Sequence, residues 1–319
     1  MHVGGRLLSH PVKSVHFGIL LFIAVLSQPA HAEPRSYVIV DNQTGQILEA
    51  KNRDERLPVA SLTKIATAIV VLDWSELTNS DLSTLAEVPP GALAYGASSS
   101  VGLRPGDQVS LRDLIYCALL ASDNIAAHTL ADHVGSRVSN HEGLDPVGNF
   151  VAHMNALARN LSMTRTVFLN PSGMDHREDI SMPRSTAADM ARLVRHALGN
   201  AGFSFYVSQK SRQIHVFRDG VDNESEIKNT NELLGRDGID GVKTGRTRRA
   251  GDCLVLSSAK PAETRREGEQ VFVTPRRIDV VLLRSPDRFA DGMNLVRRGW
   301  SLYEAWASEG RPSKKNSSL

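Results

Sequence analysis

No large excess of charge of either sign is present in this 319-residue chain, which has 37 lysine and arginine residues against 35 aspartate and glutamate residues. A broad basic surface of the kind that binds nucleic acid is therefore not expected. Cysteine is also scarce, and the two cysteines present cannot form a structural zinc site. Because the chain has no His-Glu-x-x-His run either, the sequence predicts no metal centre.

The apolar run near the N-terminus is too short to span a bilayer comfortably. Arg6 and Lys13 precede this run, which covers residues 15–26, and an Ala-x-Ala sequence ends at Ala32. A charged segment, a short apolar segment and a small-residue cleavage site are typical of a secretory signal peptide. We therefore predict that residues 1–32 are removed and that the protein is exported to the periplasm or cell-wall space. An uncleaved N-terminal anchor is the alternative.

Export would permit a disulfide between the two cysteines. However, Cys117 lies in an apolar helical run and Cys253 in a predicted strand, where both fit the role of core residues. We expect buried free thiols and keep the disulfide as the alternative.

The order of predicted elements indicates a single α+β domain over residues 33–307. A hairpin opens it, helices fill the middle, strands and a final helix close it, and a charged loop over 260–276 separates the last two strands. We expect one antiparallel sheet built from both chain ends beside an all-α lobe. Residues 308–319 are predicted to be a disordered polar tail, which has no apolar face and so provides no stable membrane anchor. The predicted helices cover 61–77, 110–120, 126–134, 150–160, 186–198 and 289–306, and the predicted strands 36–41, 46–50, 239–243, 253–258 and 278–283.

Ser61 stands at the start of the first apolar helix, and Lys64 follows three residues later, on the same face. A serine hydroxyl is a weak nucleophile until a base takes its proton, and a lysine can be that base if its amine is kept neutral. The helix N-terminus suits an oxyanion. The alternative is an N-cap serine with a solvated lysine one turn later.

Two further segments follow in the order that this chemistry needs. Ser122-Asp123-Asn124 is the only Ser-x-Asn in the chain, and Lys243-Thr244-Gly245 is the only Lys-Thr-Gly. The first stands after a helix, where a turn can project a hydroxyl and an amide. The second ends a strand, where a glycine allows close approach of a ligand. Taken alone, each is also typical of an ordinary turn or N-cap and of a solvated strand end.

Together these motifs resemble those of the serine-type D-alanyl-D-alanine carboxypeptidases, which are low-molecular-mass penicillin-binding proteins. Further segments resemble the family's opening hairpin, its middle signature and the approach to its third motif, so that the likeness extends over residues 35–305. The resemblance implies a β-lactamase/transpeptidase-like fold with the active site between sheet and helical lobe. These segments are 37–50, 166–175, with the sequence TVFLNPSGMD, and 229–234, with the sequence NTNELL.

The resemblance also implies roles for individual residues. Ser61 would attack the bond between two D-alanines of a peptidoglycan stem peptide, Lys64 would take its proton, and Ser122 would relay a proton to the leaving amine. Asn124 would hold the acyl-side amide. The substrate carboxylate would bind Lys243, whose charge would also keep Lys64 neutral, and Thr244. The backbone N–H groups of Ser61 and of Arg246, after Gly245, would form the oxyanion hole. The family needs no metal or organic cofactor, and β-lactams are its covalent inhibitors.

Two features depart from the family pattern. Arg246, Arg248 and Arg249 make the segment after the glycine unusually basic, which favours either extra acidic groups on the substrate or a solvated strand end. The segment 260–276 is longer than the usual turn, and the sequence suggests no function for it.

Three other functions compete with the carboxypeptidase. A class A β-lactamase shares the three motifs but needs a Glu-x-x-Leu-Asn loop, which is missing between Asn124 and Lys243. A DD-endopeptidase that cuts cross-links remains an alternative. A non-catalytic penicillin sensor is disfavoured because every motif residue is intact.

Overall fold

The computed structural model describes residues 1–5, 33–96, 98–139, 143–175, 184–313 and 318–319. The chain divides into two compact units, Met1–Ala32 and Glu33–Leu319. Most of the predicted signal peptide lies outside the described residues, so its removal stays a prediction.

A five-stranded antiparallel sheet brings both ends of the second unit together, as predicted. The strands are β1 (Ser36–Asp41), β2 (Ile47–Lys51), β7 (Ile239–Thr247), β8 (Gly251–Glu267) and β9 (Gln270–Ser285), in the order β2-β1-β9-β8-β7. Alternate residues of β1 enter two separate cores: Val38 packs with the helical lobe, whereas Ile39 packs with the final helix around Trp300. The sheet is therefore covered on both faces, which explains why all of β1 is buried.

Seven helices are described, and polar N-caps begin most of them. The side chains of Ser110, Asp123, Asp145, Thr186, Asn200 and Asp287 each accept a hydrogen bond from a first-turn backbone N–H. The predicted middle helices and the final helix are confirmed. The helices are α1 (Lys64–Thr78), α2 (Leu111–Leu119), α3 (Asn124–Gly135), α4 (Pro146–Asn160), α5 (Ala187–Leu198), α6 (Ala201–Ser208) and α7 (Arg288–Ser308).

The expectation of a single sheet was wrong, because a second sheet stands beside the helical lobe. It contains β3 (Leu85–Glu87), β4 (Gln108–Ser110), β5 (Ser211–Arg218) and β6 (Val221–Lys228), in that order. Two of these strands have only three residues, and β6 is polar and almost entirely exposed. Neither the three-residue strands nor β6 has the alternation of apolar and polar residues that predicts a strand.

The predicted loop over 260–276 was also wrong. This segment continues β8 and β9 as a two-stranded ribbon beyond the sheet, with Lys260 opposite Arg276 and Arg265 opposite Phe272. Gly268, at φ +61°, occupies the turn at its tip. The strands were not predicted because the ribbon is rich in charged residues. Charged side chains on an exposed segment are solvated in a strand and in a loop alike, so they do not distinguish the two.

Both cysteines are free and fully buried, as expected for core residues. The end of the chain is described only in part: α7 ends at Ser308, and Ser318 pairs with Gln46. Disorder of residues 308–319 therefore stays a prediction. None of the helices in the described segments is long and apolar enough to cross a membrane.

Candidate active site

Ser61 lies on a short 3-10 helix, Ala60–Thr63, and α1 begins only at Lys64. The sequence predicted that both residues share an α-helical face. The tighter 3-10 turn has the same effect, because residues three apart eclipse each other in it. Ala60 adopts a left-handed φ of 49°, and its carbonyl packs so closely on Gly173 that a Cβ there would stand 1.9 Å away.

The Lys64 amine is enclosed by three oxygen atoms. Its Nζ donates to Asn124 Oδ1 at 2.8 Å and to the Ser172 carbonyl at 2.8 Å, and it lies within hydrogen-bond distance of Ser61 Oγ, at 2.9 Å. The side chain is 0% exposed. The structure thus joins the first motif to the second through one buried amine.

Burial sets the charge of the two lysines. It lowers the pKa of Lys64 to about 7, against a smaller opposing effect of the Asp123 carboxylate. Burial also lowers the pKa of Lys243 well below its usual value, and the charges of Lys64 and Arg288 act in the same direction. The resemblance implied that the charge of Lys243 keeps Lys64 neutral, whereas burial of the Lys64 amine is what lowers its pKa.

Ser122 directly precedes Asp123, the N-cap of α3. The geometry is therefore compatible with a segment that only caps the helix and also with one that has a catalytic function. The Asp123 carboxylate accepts from Ala126 N at 2.8 Å and from Ser100 N at 2.6 Å. Ser122 has a left-handed φ of 60° and is half-buried. The turn therefore holds Ser122 and Asn124 on either side of a buried carboxylate.

The third motif lies on β7, beside the Ser61 turn. Lys243 is 1% exposed, and its Nζ donates to the Thr244 carbonyl at 3.0 Å. A Cβ on Gly245 would stand 3.2 Å from Ser61 N, so the glycine permits the close approach of the two backbones. The Arg246 side chain is exposed and pairs with Asp252 at 3.4 Å.

Three contacts of this cluster were not predicted. The Ser172 carbonyl holds Lys64, the Thr230 hydroxyl lies 2.6 Å from that of Thr244, and Arg288 donates to the Gly245 carbonyl at 3.3 Å. Ser172 and Thr230 lie in segments whose sequence resembles the family. This resemblance indicated that the two residues lie near the site, but it did not indicate their contacts. Arg288 had no signal. In the described segments no group of three or more histidine, cysteine or acidic side chains could hold a metal.

Comparison with known proteins identifies the family. The Peptidase S11 model, described as D-alanyl-D-alanine carboxypeptidase, matches residues 24–266. The chain is 30% identical over 235 residues to the carboxypeptidase DacF of Bacillus subtilis, with 73% of this chain and 56% of the relative covered. It is 32% identical over 282 residues to the carboxypeptidase DacC of Escherichia coli, with 85% and 62% covered. A D-alanyl-D-alanine endopeptidase of Pseudomonas aeruginosa is 33% identical over 225 residues, with 69% and 66% covered. The chain thus spans less than two thirds of the length of these relatives.

Solved structures agree with the predicted fold class. The Streptomyces K15 DD-transpeptidase superposes with a TM-score of 0.71 at 28% identity, covering 86% of this chain and 100% of that one. Penicillin-binding protein D2 from Listeria monocytogenes, in its ampicillin-bound form, gives a TM-score of 0.62 at 25% identity, with the same coverage. The family model, the relatives and the fold all lead to one conclusion: this chain belongs to the Peptidase S11 family.

Proposed function

We propose that this protein is a serine-type D-Ala-D-Ala carboxypeptidase that acts on peptidoglycan stem peptides through an acyl-enzyme on Ser61. The observation that carries the proposal is the contact of 2.9 Å between the buried Lys64 Nζ and Ser61 Oγ. The family membership of the chain and the carboxypeptidase names of its relatives support it.

The surroundings of Lys64 favour a base over a simple cation. A neutral amine has two hydrogens and one lone pair, and the Asn124 and Ser172 oxygens are both acceptors, within 2.8 Å. These two acceptors take the hydrogens, so that the lone pair faces the Ser61 hydroxyl. Since the pKa of Lys64 is about 7, a large fraction of the amine is neutral near neutral pH. Lys64 can then accept the Ser61 proton as Oγ attacks the carbonyl carbon.

The remaining motif residues are assigned to binding and to proton transfer. Lys243 and Thr244 would bind the terminal carboxylate, and Asn124 would hold the acyl-side amide. Ser122 would pass the proton to the departing D-alanine amine. The N–H groups of Ser61 and Arg246 would face the oxyanion, and Gly245 brings their two backbones together. Water then hydrolyses the ester and restores the Ser61 hydroxyl.

A β-lactam should trap the acyl-enzyme. Its ring resembles the acyl-D-Ala-D-Ala bond and carries a carboxylate in the matching place, and its leaving group stays tethered. The chain lacks the Glu-x-x-Leu-Asn loop with which class A β-lactamases activate the deacylating water. The adduct should therefore persist.

The decisive experiment mixes the purified protein with benzylpenicillin and follows the intact mass. One added drug mass should appear and map to the Ser61 peptide, whereas Ser61→Ala should show none and Lys64→Ala should form it far more slowly. Rapid repeated hydrolysis of the drug without a trapped adduct would support the β-lactamase instead.

A second candidate is a DD-endopeptidase, which the endopeptidase name of the P. aeruginosa relative favours. Purified muropeptides separate the two activities by the masses of their products. Loss of one alanine identifies the carboxypeptidase, and conversion of dimers to monomers identifies the endopeptidase.

We also propose that the protein is exported and works in the periplasm or cell-wall space, where this substrate occurs. The charged segment, apolar run and Ala-x-Ala sequence before Glu33 support this location.

A further inference from the structure

Thr230 connects the second and third motifs through a chain of three oxygen atoms. Its hydroxyl donates to the Leu120 carbonyl at 3.1 Å and lies 2.6 Å from the hydroxyl of Thr244. Its backbone N–H donates to the same carbonyl at 3.0 Å. Leu120 is the C-cap of α2, two residues before Ser122, and Thr244 belongs to the third motif.

The number of hydroxyl hydrogens limits what Thr244 can do in this arrangement. Each threonine hydroxyl has one hydrogen. When the Thr230 hydrogen points to Leu120, the contact of 2.6 Å can only be a hydrogen bond donated by Thr244. Thr244 then has only lone pairs to present to the cleft, and lone pairs repel a carboxylate.

We propose that Thr230 is a positioning residue whose hydroxyl turns from the Leu120 carbonyl to Thr244 when substrate binds, which frees the Thr244 hydrogen for the terminal carboxylate. This inference rests on the proposed function, in which Thr244 binds that carboxylate. A hydroxyl that accepts a hydrogen bond is also a better donor, so the turn strengthens the contact with the ligand.

The surrounding contacts make this exchange easy. When the Thr230 hydroxyl turns away, the Leu120 carbonyl still accepts a hydrogen bond from the Thr230 N–H at 3.0 Å, so this carbonyl is not left unsatisfied. The neighbouring side chains hold the segment in place: Asn229 donates to the Gln209 carbonyl at 3.0 Å, and Asn231 donates to the Gly241 carbonyl at 3.2 Å. Only hydrogens need to move, and the heavy atoms of Thr230 and Thr244 can keep their positions.

The test compares benzylpenicillin with its methyl ester, which has the same ring but no carboxylate. The second-order rate of acylation of Ser61 is measured by intact mass for the wild type, Thr230→Val, which has the same shape without the hydroxyl, and Thr230→Ser, which keeps the hydroxyl. Thr129→Val is the matched control, because it removes a buried threonine hydroxyl that donates to the Ile125 carbonyl within α3. Both compounds are applied to one preparation, so that the ratio of their rates does not depend on the folded fraction.

We expect Thr230→Val to lower the acid-to-ester ratio of rates by about two- to tenfold, the range of one net hydrogen bond. Thr230→Ser should restore the ratio, and Thr129→Val should leave it unchanged. If Thr230→Val slows both compounds equally, or neither, the hydroxyl has no part in carboxylate binding and the inference is overturned. A wild type that neither compound acylates would overturn the proposed function as well.

Discussion

Lys64 and Lys243 are buried to a degree that is unusual for lysine, at 0% and 1% exposure. Burial disfavours the charged amine of both lysines, and for Lys243 the neighbouring charges of Lys64 and Arg288 act in the same direction. Both pKa values are therefore lowered. At the scale of the residue, this desolvation turns an ordinary surface cation into a candidate base.

The pH dependence of acylation follows from the pKa of Lys64, which is about 7. The amine is protonated and inactive below this pKa and neutral above it. Because the pKa is lowered, this change falls near neutral pH. The rate of acylation by benzylpenicillin should rise by about tenfold per pH unit on the acid side and level off above neutral pH. A rate that keeps rising toward the usual lysine pKa, or that does not change with pH, would contradict this assignment.

The segment after α4 that contains Ser172 and Gly173 packs against the Ser61 turn. Gly173 has a φ of +76°, and a Cβ atom on it would stand 1.9 Å from the carbonyl oxygen of Ala60. Gly220, in the turn between β5 and β6, has a similar φ of +78°, but no atom lies within 4 Å of its Cβ position. The two glycines separate backbone strain from a steric clash.

We expect Gly173→Ala to lower the free energy of unfolding by about 3 kcal/mol or more, since both strain and clash act there. Gly220→Ala should cost only about 1 kcal/mol, the strain of a left-handed alanine. Urea denaturation measures both. Equal losses would mean that the contact between Gly173 and Ala60 adds nothing to stability.

The ribbon beyond Lys260 is an element that the catalytic strand does not need. Lys243–Arg246 pair with residues 252–255, toward the far end of β8 from the ribbon. Val271, Phe272 and Val273 are 53%, 42% and 60% exposed, so the ribbon has no core of its own.

Replacing residues 261–275 by an Asn-Gly turn should therefore preserve the fold. The ion pairs of Glu263 with Arg276 and Arg311 would be lost, at a cost of about 1 kcal/mol, because the Glu263 side chain is 43% exposed to solvent. Thermal unfolding and acylation by benzylpenicillin should both remain close to wild type. A marked loss of acylation would assign the ribbon a part in the site.

At the scale of the whole molecule, the unit Glu33–Leu319 contains every residue of the proposed site. A chain that begins at Glu33 should therefore be acylated as fast as the full chain. In a secreting host, N-terminal sequencing should find Glu33 first, and Ala32→Arg should block this processing because the cleavage site requires small residues. An exported product that retains residues 1–32 would contradict the prediction.

The motif residues, the opening hairpin and the long helices could be predicted from the sequence because their signals are local. Apolar periodicity marks a helix or strand, and the order of three short motifs indicates one family. The second sheet and the ribbon could not be predicted, because short or polar strands are held by neighbours distant in the sequence. Phe217 of β5, for example, pairs with Gln108 of β4.

The sequence by itself determined which side chains are available: a serine, two lysines and the hydroxyl and amide groups around them. Only the tertiary structure decided their chemistry. The Ser172 carbonyl that holds Lys64 comes from 108 residues away, and the burial that lowers the pKa of Lys64 requires the helical lobe and the third motif to close around it. A motif fixes the identity of an amine, whereas its charge depends on how much water the rest of the fold excludes.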